Sequence, residues 1–513
     1  MPYQPTNPYP YNTAIDLQDG LQFRFKVDNY DTIESFKIEL YDYLKNKKLY
    51  TIIRTVGDIQ IDTDNTEIKK IIEGDKQLIQ ILNENEEQIL LEEYTEDSEL
   101  PIKGGLGVKS IGEVDITPYL MTIEAIEMKK YYGNTQNYEQ LNITDSELFV
   151  LDEKGTIIEY KGKNSLAEVV IPYKTSEGYV RNIGANVFAN DEKITRVVVP
   201  SCVTIIGDNA FYNCENLQIV NLNYGVSKLN SACFMGCENL SDINLLDSID
   251  FIGDSAFEDC MNLIDLRLPW SLTQINEGSF RHIGITMLEL PPNLECIGKQ
   301  GFFNCQALKC IQCNDKLRII DKQAFGCCNA LITIDLNEKL VELGSEVFFQ
   351  CKNLQEIIIP QDVQKIGEGI LRECVSLFKL TIPFIGSEKT EVNSIEELDS
   401  NKTENNHWTS VLGYFFGRTE NTGVRQKWDL SNEQWYSIPS SLGTVIITNT
   451  TFIPYGAFSN CTEIREVVMV STIMFIDDYG LYNCVKISDI TLSPNTQYIG
   501  NYAFALEKQK VLE

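Results

Sequence analysis

The 513-residue chain has a globular composition, 43% hydrophobic and 10% aromatic, with enough length for two or three domains. Its 74 acidic against 43 basic residues give a formal net charge of −31. That excess excludes non-specific attraction to nucleic-acid backbones or anionic lipid and suits a basic or neutral protein or glycan partner.

Residues 1–145 carry no repeat. Pro2, Pro5, Pro8 and Pro10 with intervening Tyr and Asn form an extended arm, and MPYQPTNPYPYN has neither the basic flank nor the apolar centre of a secretion signal. Leu21, Phe23, Phe25 and Val27 then alternate with polar residues, as do Phe36, Ile38 and Leu40, and KLYTIIRT follows. These are half-buried strands separated by DNYDT and KNKK turns, and several of them together predict a small β-sandwich. Residues 67–94 suit helix or hairpin, with Gly74 and the Asn83–Asn85 break favouring strands; 116–131 reads as a strand followed by a short helix.

From residue 146 one pattern returns. Its anchor recurs as Ile183, Ile206, Leu229, Ile252, Ile275, Ile297, Ile320, Leu343 and Ile366, then as Ile453, Ile476 and Ile499, every 23 residues within each run except for one step of 22. Four residues after the anchor stands a small or β-branched residue, five after it Phe or Leu, eight after it Cys and eleven after it Leu or Ile. Those offsets follow a helical period, whereas Val220 and Leu222 alternate like a strand, so each unit reads as a short helical segment, a corner and a strand. One unit cannot bury its own apolar face and must stack on its neighbours, which predicts a solenoid. Nine cysteines (Cys214, Cys237, Cys260, Cys305, Cys328, Cys351, Cys374, Cys461 and Cys484) share one offset, the mark of a buried, reduced ladder rather than a disulfide framework.

The pattern L-x-x-[IV]-x-[LI]-P…I-G-x-x-A-F-x-x-C-x-x-L, from Ser165 to about Leu506 with the lead-in 155–184, resembles the BspA-like leucine-rich repeats. The resemblance implies a right-handed α/β leucine-rich-repeat solenoid, preceded here by the β-rich, sandwich-like domain, and a binding scaffold with no catalytic residue and no cofactor. Known members are mostly surface adhesion or host-interaction proteins. A proline-rich arm with a sandwich in an unsecreted binding protein also resembles the attachment modules of phage virion fibre and tail proteins.

The coil is interrupted once, between Ile366 and Ile453, by about 64 residues placed after Pro383. The insert is acidic and polar, then aromatic, and its PFIGS, LGYFFG and IPSSL resemble an interruption that recurs in the family. The expected organisation is an attachment domain at 1–145, solenoid at 146–383, insert at 384–440 and resumed solenoid at 441–513. Because the repeat phase resumes cleanly, the insert is expected to be dispensable for folding.

Catalysis has little to work with: the two histidines, His282 and His407, lie in no nucleophile or metal motif. Cys310 and Cys313 spell C-x-x-C, but on a strand residues three apart face opposite sides, so packing is the better reading. Asp62 and Asp64 fall at calcium-loop spacing, yet Glu67 occupies the position that must be Gly. Two candidate binding surfaces remain. One is the outward strand row of Arg267, Glu289, Gln312 and Asp335; the other is the insert, where Trp408, Tyr414, Phe415, Phe416, Trp428 and Trp435 are available to a ligand.

The reading is a non-enzymatic recognition protein that binds a cell-surface protein or glycan, with an assembly protein using the solenoid as a spacer as the alternative. No apolar run reaches the ~18 residues that span a bilayer. The chain is expected to be made in the cytoplasm and to reach a virion, or the cell surface if a signal is missing. The last repeat keeps Phe504 but loses its Cys and Leu, leaving an edge for Leu506, Val511 and Leu512 to close. Contact with another copy or a larger particle is expected there or through the N-terminal domain.

Overall fold

The computed structural model describes side chains over residues 128–506, apart from 134, 136–139, 399–409, 419–425, 427–434, 470–471, 489 and 491. Of residues 1–127 it describes the backbone of ten strands and the start of one helix. The chain divides into two compact units, Met1–Gln140 and Leu141–Glu513.

In the first unit five strands, Thr13–Asp16, Leu21–Val27, Ser35–Asp42, Lys47–Thr55 and Asp58–Thr63, form one antiparallel sheet in chain order. Ile68–Glu73, Lys76–Leu82 and Gln88–Thr95 form a second antiparallel sheet, so the 67–94 stretch is strand rather than helix. A helix runs over Ile123–Tyr132. The proline-rich arm and the packing of the two sheets lie outside the described residues.

The second unit is the solenoid, and each coil contributes to three layers. A long strand layer includes Glu168–Val170, Arg196–Val199 and Ile219–Leu222, paired in parallel one coil apart. Its inward residues, such as Val220 and Leu222, are fully buried. A short strand at each anchor forms the second layer, for example Ile205–Ile206 on Lys228–Leu229.

The third layer, after the anchor, is not helical. Three and seven residues past the anchor the backbone turns left-handed: Asn209 and Asn213 at φ 53° and 54°, Ser255 and Asp259 at 53° and 64°, Glu346 and Gln350 at 58° and 57°. This alternation breaks a helix and sends every second N–H to the next coil, as in Asn209 N to Ser231 O (3.0 Å), Phe211 N to Cys233 O (2.8 Å) and Asn213 N to Met235 O (2.8 Å). The intervening residues close tight turns of their own, Ala210 N to Gly207 O and Tyr212 N to Asn209 O. The offsets that mimic a helical period therefore describe a turn ladder.

Stacking fills the interior. Phe188, Phe211, Phe234, Phe257, Phe280, Phe302, Phe325 and Phe348 form a column with centroids 4.7–6.1 Å apart and planes within 13° of parallel. Beside it runs the cysteine ladder. Eight of the nine thiols, all but Cys461, donate to the carbonyl of the phenylalanine one coil back, as in Cys214 Sγ to Phe188 O (3.1 Å), Cys260 Sγ to Phe234 O (3.2 Å) and Cys374 Sγ to Phe348 O (3.2 Å). Cysteine suits the slot because it packs as a small hydrophobe and still offers a weak donor.

All fifteen cysteines are free, ten of them buried and five (Cys202, Cys296, Cys310, Cys313 and Cys327) half-buried. Burial pushes the Cys305 and Cys374 thiols up to about 12, far from their reactive form at neutral pH. Titration of the native chain with a thiol reagent should therefore count at most the five half-buried cysteines quickly, and all fifteen after denaturation without reductant. A denatured count well below fifteen would mean disulfides and would refute the ladder.

Candidate functional site

The interruption between Ile366 and Ile453 is itself a coil. After the strand Lys379–Ile382, the chain at 387–389 lies against the anchor strand Lys365–Ile366, with Ile366 N to Ser387 O at 2.7 Å and Lys389 N to Gln364 O at 3.0 Å. Thr444–Ile447 then pairs in parallel directly on Lys379–Ile382 and carries Glu466–Met469 on its other side. So the extra residues do not follow Pro383. They fall inside a coil that begins near Lys389, between the bridging segment 387–389 and the strand Thr444–Ile447.

The missing turn rung of that coil is supplied by the 3-10 segment Leu412–Phe416. Leu371 N bonds Phe415 O (2.8 Å) below it, and Leu412 N bonds Ala457 O (2.8 Å) above it, the same one-coil pattern as elsewhere. Phe415, Phe416 and Tyr436 are buried and continuous with the solenoid core. Gln426, fully buried, clamps the rung: its Oε1 accepts from Gly413 N (2.7 Å) and its Nε2 donates to Gly456 O and Ala457 O (3.1 Å each). Gly413 is required there, since a Cβ would lie 2.4 Å from Tyr436 Cβ.

The expected aromatic ligand platform is thus corrected. Tyr414, Phe415 and Phe416 are core, because a rung of the stack needs apolar side chains facing inward, and the insert is therefore expected to be needed for folding. Burial pushes the Tyr414 hydroxyl up to about 12. Trp435 is half-buried on the hairpin Val424–Lys427/Trp435–Ile438. Trp408, Trp428 and His407 lie outside the described residues. Even the acidic opening of the insert packs: Val392 and Leu398 are buried with Phe452 and Phe475.

The other candidate surface is open. In the outward strand row Arg267, Glu289, Gln312 and Asp335 are all exposed. Upstream the same row is occupied internally. Asn221 Oδ1 accepts from Arg196 (3.2 and 3.3 Å), and Asn244 bonds Leu222 through both N–H and O (2.7 and 2.8 Å). Downstream it turns apolar with exposed Ile358, then buried Thr381.

Arg267 pairs with Asp247 (3.0 Å) and stacks on Trp270, which is 57% exposed. Nothing in the repeat pattern singles out Asp247 or Trp270; the only signal is a tryptophan directly after the strand-end proline, Pro269. His282 is half-buried with Nδ1 2.8 Å from Asp259 Oδ1. Cys310 and Cys313 are both half-buried, and burial pushes the Cys313 thiol up to about 12. Among the described residues no group of three His, Cys, Asp or Glu side chains is placed to hold a metal, and no helix is long and apolar enough to cross a membrane.

A stack of 23-residue coils with an inert core and a broad polar strand face defines a leucine-rich-repeat solenoid, an architecture that supports binding. The BspA type leucine rich repeat region, in six copies, matches residues 181–291, 273–395 and 430–511. The chain belongs to that family. The match does not reach the first unit, and no curated protein matches.

Among solved structures the chain is similar to a leucine-rich repeat protein from Bacteroides ovatus (19% identity over 71% of this chain and 92% of that one, TM-score 0.40). It is also similar to a leucine-rich cell surface protein from Faecalibacterium prausnitzii (23%, 63% and 92%, TM-score 0.33) and to the T. pallidum leucine-rich repeat protein (24%, 42% and 91%, TM-score 0.33).

Proposed function

We propose that this is a non-enzymatic recognition protein that binds a protein or glycan at a cell surface through the outward face of its long strand layer, with the first unit attaching it to a cell or virion. The observation that carries the reading is the row Glu289, Gln312 and Asp335. Three exposed polar side chains on successive coils, about 5 Å apart, make no hydrogen bond within the chain, while the same row upstream is tied down by Asn221 and Asn244. Solubility requires polar groups there; it does not require them to be left without partners. Recognition by several such groups along a rigid face gives affinity without a deep pocket.

The test is binding of the labelled chain to a glycan microarray and to a panel of displayed extracellular domains, beside a variant carrying E289A, Q312A and D335A. The variant is expected to melt like the wild type and to lose about tenfold or more of the signal, as the removal of a few central contacts does. An equal signal from both chains would overturn the assignment of this face. No binding by either would favour the spacer role.

A further inference from the structure

Among the described residues the long and short strand ladders that fuse neighbouring coils break separately elsewhere, the long one between Cys310–Gln312 and Glu356–Ile358 and the short one at the insert, but they are missing together at one place. In the long strand layer, Asp242–Ile243 ends one parallel sheet and Met287–Glu289 begins the next. Between them the segment from Ile264 to Leu268 makes no backbone hydrogen bond to either neighbour. In the short layer, Phe251–Ile252 ends a six-stranded sheet and Gln274–Ile275 begins a separate one. The bonds that join the preceding coils, Asp250 N to Ser227 O (3.0 Å) and Gly253 N to Leu229 O (2.8 Å), have no counterpart one coil on.

Only the turn layer continues across this line. Ser255 N to Glu277 O (2.9 Å), Phe257 N to Ser279 O (2.8 Å) and Asp259 N to Arg281 O (3.1 Å) are intact, and Phe257 stacks on Phe280 at 5.5 Å. The two strand layers are joined by side chains instead. Asp247 accepts from the Trp270 N–H (2.8 Å) and from the Arg267 guanidinium (3.0 and 3.2 Å), Ser271 Oγ donates to Ile249 O, and Asn276 Nδ2 donates to Ile252 O (2.6 Å).

We propose that the solenoid carries a hinge between residues 241–252 and 264–276, pivoting on the continuous turn layer and latched on the strand side by Asp247. Backbone ladders along a parallel sheet resist separation cooperatively, since each bond holds the next in register. Side-chain links at an exposed surface break one at a time and expose little when they do. Opening would change the curvature of the face between Asn244 and Glu289, and with it the spacing that the outward row presents to a partner.

Hydrogen exchange of the full chain, read by mass spectrometry, tests the hinge. Peptides covering 264–268 and 273–276 are expected to exchange faster than those covering 219–222 and 319–320. Asp247→Ala is expected to speed exchange at 270–276 a further tenfold or so, with 319–320 unchanged, because a lost link worth about 1.4 kcal/mol shifts a local opening equilibrium by that factor. Protection at 264–268 equal to that at 219–222 in the wild type would overturn the proposal. So would an Asp247→Ala chain whose seam peptides exchange as before, or one in which every peptide accelerates alike.

Discussion

Replacing residues 408–438 with a short flexible linker is expected to destroy the single cooperative melting transition. The deletion removes Leu412, Phe415, Phe416 and Tyr436 from the core and Gln426 from its three backbone bonds. It leaves Leu371 facing a gap where Phe415 O accepted its N–H, and Ala457 O without the N–H of Leu412. Each lost aromatic costs about 3–5 kcal/mol and each orphaned buried polar group about 1–3 kcal/mol, so the total exceeds the whole stability of an ordinary domain. The coils after Ile453 should then melt separately from those before Ile366, seen as two transitions in calorimetry. A deleted chain with one transition near the wild-type temperature would show that the aromatic rung carries no load.

The second large effect is expected from Phe234→Ala. The ring is fully buried between Phe211 (5.2 Å) and Phe257 (5.4 Å), and its carbonyl accepts the Cys260 thiol one coil on. Neighbouring coils are held at their spacing by their own backbone ladders and cannot close over the vacancy, so the loss should lie near 3–5 kcal/mol in urea denaturation. Phe303→Ala provides the contrast. That ring is half-exposed under Arg281, and its loss should cost under about 1 kcal/mol. Similar losses at the two positions would mean that the column is not the source of stability.

Much of this was legible because a solenoid repeats its cross-section. Ile206, Ala210, Phe211, Cys214, Leu217, Val220 and Leu222 are all fully buried, and each had been marked by the interval at which its type returns. The conformation of the turn layer was harder. Offsets of four, five, eight and eleven are what a helix would give, and the period of buried residues cannot distinguish it from a ladder of tight turns. The distinguishing signal sits on the polar residues: Asn209 and Asn213, Gly278, Asn304, Gly369 and Asn460 occupy the left-handed positions, where Asn and Gly are favoured.

The insert misled for a different reason. Its coil starts at Lys389 without an apolar anchor, because that segment crosses its neighbour as an antiparallel bridge rather than a parallel strand. With the anchor missing, six aromatic residues looked like decoration on a loop, although the backbone bonds of Leu412 and Leu371 make part of them a rung. Alternation marked Arg267, Glu289, Gln312 and Asp335 as outward, and all four are exposed. Which polar residues of the strand face are already engaged depends on contacts 22 to 25 residues away, as for Asn221 with Arg196, and no local pattern records those.

The thiol ladder also bears on whether the chain can recover from unfolding. While the coils are stacked, ten sulfurs are shielded and protonated, and none meets an oxidant. Once they separate, all of them reach ordinary thiol acidity together, with many partners within a loop's length along the same chain. In an oxidising medium the opened chain would cross-link at random spacings, and no such bridge fits the stacked slots, in eight of which the sulfur donates to a phenylalanine carbonyl. Unfolding then becomes a one-way step, and the lifetime of the solenoid outside a reducing environment is set by how seldom it opens rather than by how strongly the folded state is favoured.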